Sequence, residues 1–219
     1  MEILMTSAVE LLHELAWRAR RYRYDPLWEH GMPGNCVSGI YLLFEEGEFF
    51  HGGDRIVHVG SHTGANNLKN RLKEHYITEN HHRSIFRKHI GRAILNQRTD
   101  SYLSVWNIDY TYKKNKELYS CLRDKEKEAQ IEREVSQYLR SRTSFCLIAE
   151  EDKQVRKKLE AGILALLAQA TSCVPSKNWL GLWMTDARSS EAGLWNVQGL
   201  NGAPLRKEDI YYLSEKFVI

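Results

Sequence analysis

The sequence is poor in the features that organise a chain by crosslinks or composition. Its four cysteines, Cys36, Cys121, Cys146 and Cys173, lie far apart and form no CxxC pair. That argues against a zinc ribbon or a dense disulfide framework and for reduced, partly buried thiols. Prolines number only four, and there is no low-complexity tract or internal repeat, so disorder is not expected. No uncharged apolar run approaches the roughly 20 residues needed to span a bilayer. The first residues also lack the basic segment and apolar stretch of a secretory signal, and a cytoplasmic protein is expected. With 42% hydrophobic and 27% charged residues over 219 positions, the chain reads as one domain with a sizeable core.

Positive charge is unevenly spread. The formal net charge of +3 says little, because a polyanion responds to local excess. Between positions 69 and 98, however, Lys69, Arg71, Lys73, Arg83, Arg87, Lys88, Arg92 and Arg98 are opposed only by Glu74 and Glu79. His75, His81, His82 and His89 share the stretch and can add charge near neutral pH. Such runs commonly form solvated helix faces; concentration in one stretch favours a phosphate-binding surface. Lys113, Lys114 and Lys116 make a second basic loop, better suited to phosphate contact than to base reading.

Periodicity outlines an α+β chain. Residues 6–23 repeat Val9, Leu12, Leu15, Ala16 and Ala19 at helical spacing behind a cap at Thr6 or Ser7. Residues 25–35 read as a loop. Strand patterns over 39–45 and 55–61, joined by a polar turn, predict a hairpin. Along it Ile40, Leu42 and Phe44 oppose Tyr41 and Leu43, and strict alternation sets Val57 and Val59 against Ile56 and His58. A helix over 66–76 aligns Leu68, Leu72 and Tyr76, with Arg71 and His75 one turn apart on another side. A helix over 84–96 buries Phe86, Ile90, Ala93 and Ile94 and leaves Lys88 and Arg92 on the opposite face, free to meet a phosphate backbone. Residues 102–110 read as a strand, 125–140 as a charged, exposed helix and 143–149 as a buried central strand. Asp152 caps a helix in which Val155, Leu159, Ile163, Leu166 and Leu167 recur, and a short helix follows over 206–217. The expected architecture is a small central, mostly antiparallel sheet flanked by helices. A core domain at 39–180, with a helical insertion near 110–141, would carry an N-terminal helical extension at 1–38 and a C-terminal extension at 181–219.

One acid stands out. Glu160 is the last before the uncharged half-helix 161–170, and a carboxylate beside a core face is costly unless paired, solvated or bound to a cation. In isolation, an ion pair with Arg156 one turn earlier would account for it. It does not stand alone. GIY at 39–41, HVG at 58–60, Arg71 with His75, Glu160 on a late helix and Asn178 after a proline-containing turn resemble the GIY-YIG nuclease family in order and approximate spacing. GIY alone carries little; the ordered set, spread over 39–178, carries the resemblance.

That resemblance implies hydrolysis of phosphodiester bonds, usually in DNA, around one divalent metal ion. Mg²⁺, with Mn²⁺ as a substitute, would be held by Glu160, since a hard cation takes oxygen ligands and keeps several waters. On the same basis Arg71 would hold the non-bridging oxygens. Tyr41 would position or help deprotonate the attacking water, His75 would be its partner or relay, and Asn178 would orient neighbouring groups. The sequence departs from the pattern at His58, where the second motif ordinarily has a tyrosine. An unperturbed imidazole accepts a proton near neutral pH and a phenol does not, so His58 competes with Tyr41 as the base, unless it only fills the tyrosine's space. Lys69, Lys73, Arg87, Lys88, Arg92, Lys113 and Lys114 are the expected nucleic-acid contacts. Duplex DNA is the expected partner, and a homodimer would let one site per subunit cut both strands of a symmetric target.

A restriction or host-defence nuclease, or a small structure-selective one, suits this arrangement. Two other functions share its residues. A catalytically weakened relative would bind nucleic acid without cutting it, as the His58 replacement suggests and the presence of Arg71 and Glu160 opposes; a ribonuclease would apply the same chemistry to RNA. Zinc is not expected. His58 and His62 are four apart in a strand or turn, which does not bring two imidazoles to one ion, and the adjacent His81 and His82 have no cysteine nearby. Trp179, Trp183, Trp195, Tyr211 and Tyr212 are read as packing, not as base-stacking rings.

Overall fold

The computed structural model describes residues 7–26 and 38–219; Thr6, Cys36 and most of the 25–35 loop lie outside them. Four strands form one antiparallel sheet in the order β1-β4-β2-β3: β1 (Tyr22–Arg23), β2 (Gly39–Phe50), β3 (Gly53–Gly60) and β4 (Thr143–Ala149). Because β2 lies between β3 and β4 and is covered on both faces, its first seven residues are all buried. This is why GIYLLF is a continuous apolar run and not an alternating one.

Helices cover both faces. On one side Tyr41, Leu43, Val57, Phe145 and Leu147 meet α2 (Leu68–Tyr76), α3 (Ile85–Gln97), α4 (Leu103–Asn107) and α6 (Lys125–Arg142), with Trp179 and Trp195 closing the cluster. Those two tryptophans pack as the sequence suggests. On the other side Ile40, Leu42, Ile56, Val59 and Ile148 meet α1 (Ala8–Arg18), α7 (Lys153–Gln169) and α9 (Lys207–Ser214). Short helices α5 (Lys113–Tyr119) and α8 (Ala187–Glu191) complete the set among the described residues. Ser7 and Glu10 form a capping box on α1, and Ser84, Asp124 and Asp152 cap α3, α6 and α7. Each such cap is worth about 1 kcal/mol.

Several local expectations are overturned. In β3, Leu43 pairs with His58 but Phe44 pairs with Ile56, so Val57 is an extra residue. This bulge breaks the alternation: Val57 joins the cluster of Tyr41, and Val59 joins Ile56 on the other face. Residues 102–110 hold helix α4 and not a strand. Tyr102, Trp106 and Tyr110 recur every four residues, and Trp106 is buried under α3 with its Nε1 donating to the Lys88 carbonyl. That contact with α4 also covers the side of α3 expected to face solvent. Lys88 is buried, its Nζ donating to the Asn107 carbonyl at 3.0 Å. On α7, Val155 is exposed and Leu166 half-buried, while Gly162 and Leu164 are buried in the core.

Candidate active site

Two glycines allow close approaches around the central strand, one to β4 and one to Tyr41. A Cβ on Gly39 would stand 2.2 Å from the Ile148 carbonyl oxygen of β4. One on Gly60, the cross-strand partner of Tyr41, would stand 2.2 Å from the Tyr41 hydroxyl. Both triplets therefore need glycine for close approach, the first to backbone and the second to the phenol.

The phenol is the start of a hydrogen-bonded chain. Tyr41 Oη lies 2.7 Å from His75 Nε2, and His75 Nδ1 lies 2.7 Å from Ser84 Oγ. Ser84 caps α3, so its oxygen already accepts the Arg87 N–H. With Nδ1–H donating to Ser84, Nε2 is left to accept from the Tyr41 hydroxyl. Burial holds His75 well below the ordinary histidine range, with Arg71, His58 and Arg87 acting the same way, so the ring is neutral. Burial also pushes the Tyr41 hydroxyl up to about 12, against the opposing pull of Arg71.

Arg71 stands one turn before His75 on α2, half-buried, with its charge acting on Tyr41. Its Nη1 donates to Glu74 and to the Arg83 carbonyl, both at 3.1 Å. Glu160 comes from α7 and accepts a 2.5 Å hydrogen bond from Ser61, just beyond β3. Burial raises its pKa, while the Ser61 hydrogen bonds and the charges of Arg71 and Arg156 pull it down. The ion pair with Arg156 does not form: that guanidinium donates to the Glu150 and Glu151 carbonyls. Among the described residues no ion pair includes Glu160. A half-buried carboxylate with one hydroxyl partner and no described cation in ion-pair contact suits an oxygen-seeking divalent ion.

His58 completes the group. Regular pairing with Leu43 sets it on the Tyr41 face, where its ring lies 5.9 Å from that of Tyr41 and stacks on Phe86 at 4.3 Å. Its pKa is lowered to about 3, first by burial and then by Arg71 and His89. The near-neutral basicity of a free imidazole is therefore lost here. Asn196 clamps the neighbouring Val59, accepting its N–H at 3.0 Å and donating to its carbonyl at 2.8 Å, and His58 Nδ1 is buried with no described hydrogen-bond partner.

Tyr41, His58, Arg71, His75 and Glu160 thus converge, and Asn178 does not. It is exposed in a cavity of about 600 Å³ lined also by Glu45, Glu48, Arg98 and Arg142, toward the far end of β2. The reason is local: Ser176 donates through both its N–H and its hydroxyl to Glu48, anchoring the turn there. Sequence reasoning missed Asn196, Ser61 and Ser84; only Ser84 carried a signal, as the cap of a predicted helix. The basic set divides as well. Arg87 is fully buried, bonded to Glu132 at 2.6 and 3.0 Å and to the His75 carbonyl, so it and Lys88 are not surface contacts. Arg92 is half-buried and donates to Asn107. Lys69 and Lys73 are half-exposed on α2, and Lys113 and Lys114 are exposed on α5.

Residues 6–207 match the family model described as the GIY-YIG domain. The chain belongs to the GIY-YIG family, which is a family of nucleases. No curated protein and no solved structure matches it.

Proposed function

We propose that this protein is a Mg²⁺-dependent endonuclease acting on DNA, of the restriction or host-defence kind. The observation that carries the reading is the meeting of Tyr41, Arg71, His75 and Glu160, brought from β2, α2 and α7 to one spot, with Glu160 in no ion pair among the described residues. Glu160 would hold the ion, with Mn²⁺ as a substitute. Bound there, the ion supplies stabilisation of the leaving oxygen and of charge on the phosphate.

The remaining work falls to side chains. Arg71 presents a planar fork of donors beside Tyr41 and would hold two non-bridging oxygens as charge develops on them. Tyr41 would take the proton of the attacking water while passing its own to His75 Nε2, so that no free phenolate is needed from a group held at about 12. Ser84 fixes the imidazole for that transfer. Tyr41 is favoured over His58 on geometry, because its hydroxyl has an acceptor in place in His75 Nε2, whereas His58 Nδ1 is buried with no described hydrogen-bond partner; burial depresses both imidazoles alike and does not separate them. Lys69, Lys73, Lys113 and Lys114 would contact the phosphate backbone, preferably of duplex DNA.

The test is cleavage of plasmid and phage DNA with and without Mg²⁺, comparing wild type with Glu160→Ala and Arg71→Ala. Discrete metal-dependent products, lost in both variants, are expected. A wild-type protein that binds DNA but leaves every DNA and RNA substrate intact would sink the catalytic reading in favour of a binding module, for which the replacement at His58 already gives a reason. Cleavage of RNA alone would make it a ribonuclease.

A further inference from the structure

The turn between α2 and α3 carries two histidines that the site above does not use. His81 is 2% exposed, and its Nδ1 lies 2.9 Å from Glu132 Oε1, which also accepts its backbone N–H. The ring stacks on Trp106 with centroids 3.8 Å apart, and its Nε2 is buried without a partner. The His82 ring follows at 4.0 Å, and neither of its buried nitrogens has a hydrogen bond. Glu128, one turn before Glu132 on α6, closes the group: one donor atom from each of His81, His82 and Glu128 lies within 4.8 Å of the others. An unsatisfied buried polar atom costs about 1–3 kcal/mol. Three of them gathered beside a carboxylate call for a ligand.

We propose that His81, His82 and Glu128 form a structural Zn²⁺ site, separate from Glu160. Two imidazoles and one carboxylate are a donor set that zinc accepts and that Mg²⁺, which seeks oxygen, does not. His81 already has the posture of a metal-bound imidazole, with Nδ1–H held by a carboxylate and Nε2 free. Zinc bonds of about 2.0–2.2 Å place tetrahedral donors roughly 3.3 Å apart, so the cluster closes inward on binding, and the unbonded His82 ring is free to turn. Glu128 also accepts from Arg123 at 2.5 and 2.7 Å, which leaves each carboxylate oxygen a second lone pair. Asp109, 3.7 Å from His82 Nδ1, is available as a fourth ligand. The cations facing the group are Lys88 and Arg123, opposed by Asp109 and Glu128. Zinc here would tie the turn that leads into Ser84 to α6.

The full-length protein, produced with zinc in the medium and dialysed exhaustively, is assayed for metal by mass spectrometry. About one zinc per chain is expected in wild type and in Glu160→Ala, and less than about a tenth in His82→Ala and Glu128→Gln. Circular dichroism shows that each variant is folded, and a chelator lowers the Tm of wild type but not of His82→Ala. Wild-type zinc below a tenth per chain, or unchanged zinc in both variants, overturns the proposal. Neither result depends on nuclease activity.

Discussion

Glu160 on α7 and Glu132 on α6 are both carboxylates set against the core, each near an arginine, yet their surroundings differ. Glu132 is saturated: Arg87 and His81 bond its oxygens directly, and Arg87 also reaches the Glu132 carbonyl and Ser136. Burial alone would raise its pKa, but the His81 hydrogen bond and the Arg87 charge and hydrogen bonds outweigh it, and the net shift is downward. Among the described residues Glu160 has a hydrogen bond from Ser61 alone, with Arg71 and Arg156 acting on it only at a distance, and burial wins. Equal residue types therefore separate into scaffold and candidate chemistry by whether their partners are complete. An incompletely paired, half-buried carboxylate beside an arginine and a tyrosine is a candidate for binding a cation.

The largest expected effect tests the scaffold half. Arg87→Ala leaves Glu132 buried and short of its main cation, so it should lose about 3–5 kcal/mol of stability in urea denaturation. Glu160→Gln should do the reverse, keeping the fold while losing roughly 10²–10³-fold in cleavage rate, the cost of removing a group that stabilises transition-state charge. A destabilised Glu160→Gln together with an unaffected Arg87→Ala would invert the comparison and break it.

Gly60→Ala comes next. Its new methyl would fall 2.2 Å from the Tyr41 hydroxyl, and forcing such a contact costs about 1–3 kcal/mol. The phenol must then leave His75, so cleavage should fall further than thermal stability does. Full activity in Gly60→Ala would remove Tyr41 from the proton path.

The contrast also shows what the sequence holds and what it hides. Regular elements announce themselves: β4, α2, α3, α6 and α7 follow from composition and apolar spacing, with Asp152 marking the start of α7. The bulge at Val57 does not, because one unpaired residue leaves no compositional mark, and it alone sets which face Val57 takes. The stretch 102–110 has a short apolar pattern compatible with strand or helix, and packing under α3 decides it. Arg87 looks like any surface arginine until α6, 45 residues later, supplies Glu132. Asn178 and Asn196 differ only in which end of β2 their loops reach, a matter of tertiary anchoring by Glu48 and by Val59. Tyr41, Arg71, His75 and Glu160 were legible through an ordered pattern, whereas Ser61 and Ser84 were not legible as the partners of Glu160 and His75, nor Asn196 as the clamp on Val59.

Ser84→Ala probes those hidden partners with a smaller effect. The helix cap is worth about 1 kcal/mol, and Nδ1 of His75 loses its only described hydrogen-bond partner. Cleavage should drop about tenfold, the 1.4 kcal/mol scale of one oriented hydrogen bond, while binding of uncut DNA stays the same. Ser84→Thr should restore both cap and rate. A rate that follows stability alone, with no rescue by threonine, would make Ser84 only a cap.

The smallest effect has the clearest sign. Wild type as a whole should weaken as pH falls below 6.5, because His13, His58, His82 and His89 are buried neutral, with pKa values lowered to about 4, 3, 4 and 4. The unfolded chain then binds protons that the folded one refuses. Glu132, with its pKa lowered, adds to that acid loss. Glu160 runs the other way: with its pKa raised, the folded state holds a proton that the unfolded state has released, so its contribution declines as pH rises through the folded value. The stability of Glu160→Gln minus that of wild type cancels the histidines and should grow with pH from near 4.5 upward, then level off. Adding Mg²⁺ at neutral pH should erase the difference by stabilising wild type alone. A flat difference curve, or equal stabilisation of both proteins by Mg²⁺, would mean that Glu160 is no less satisfied than Glu132 and that the ion binds elsewhere.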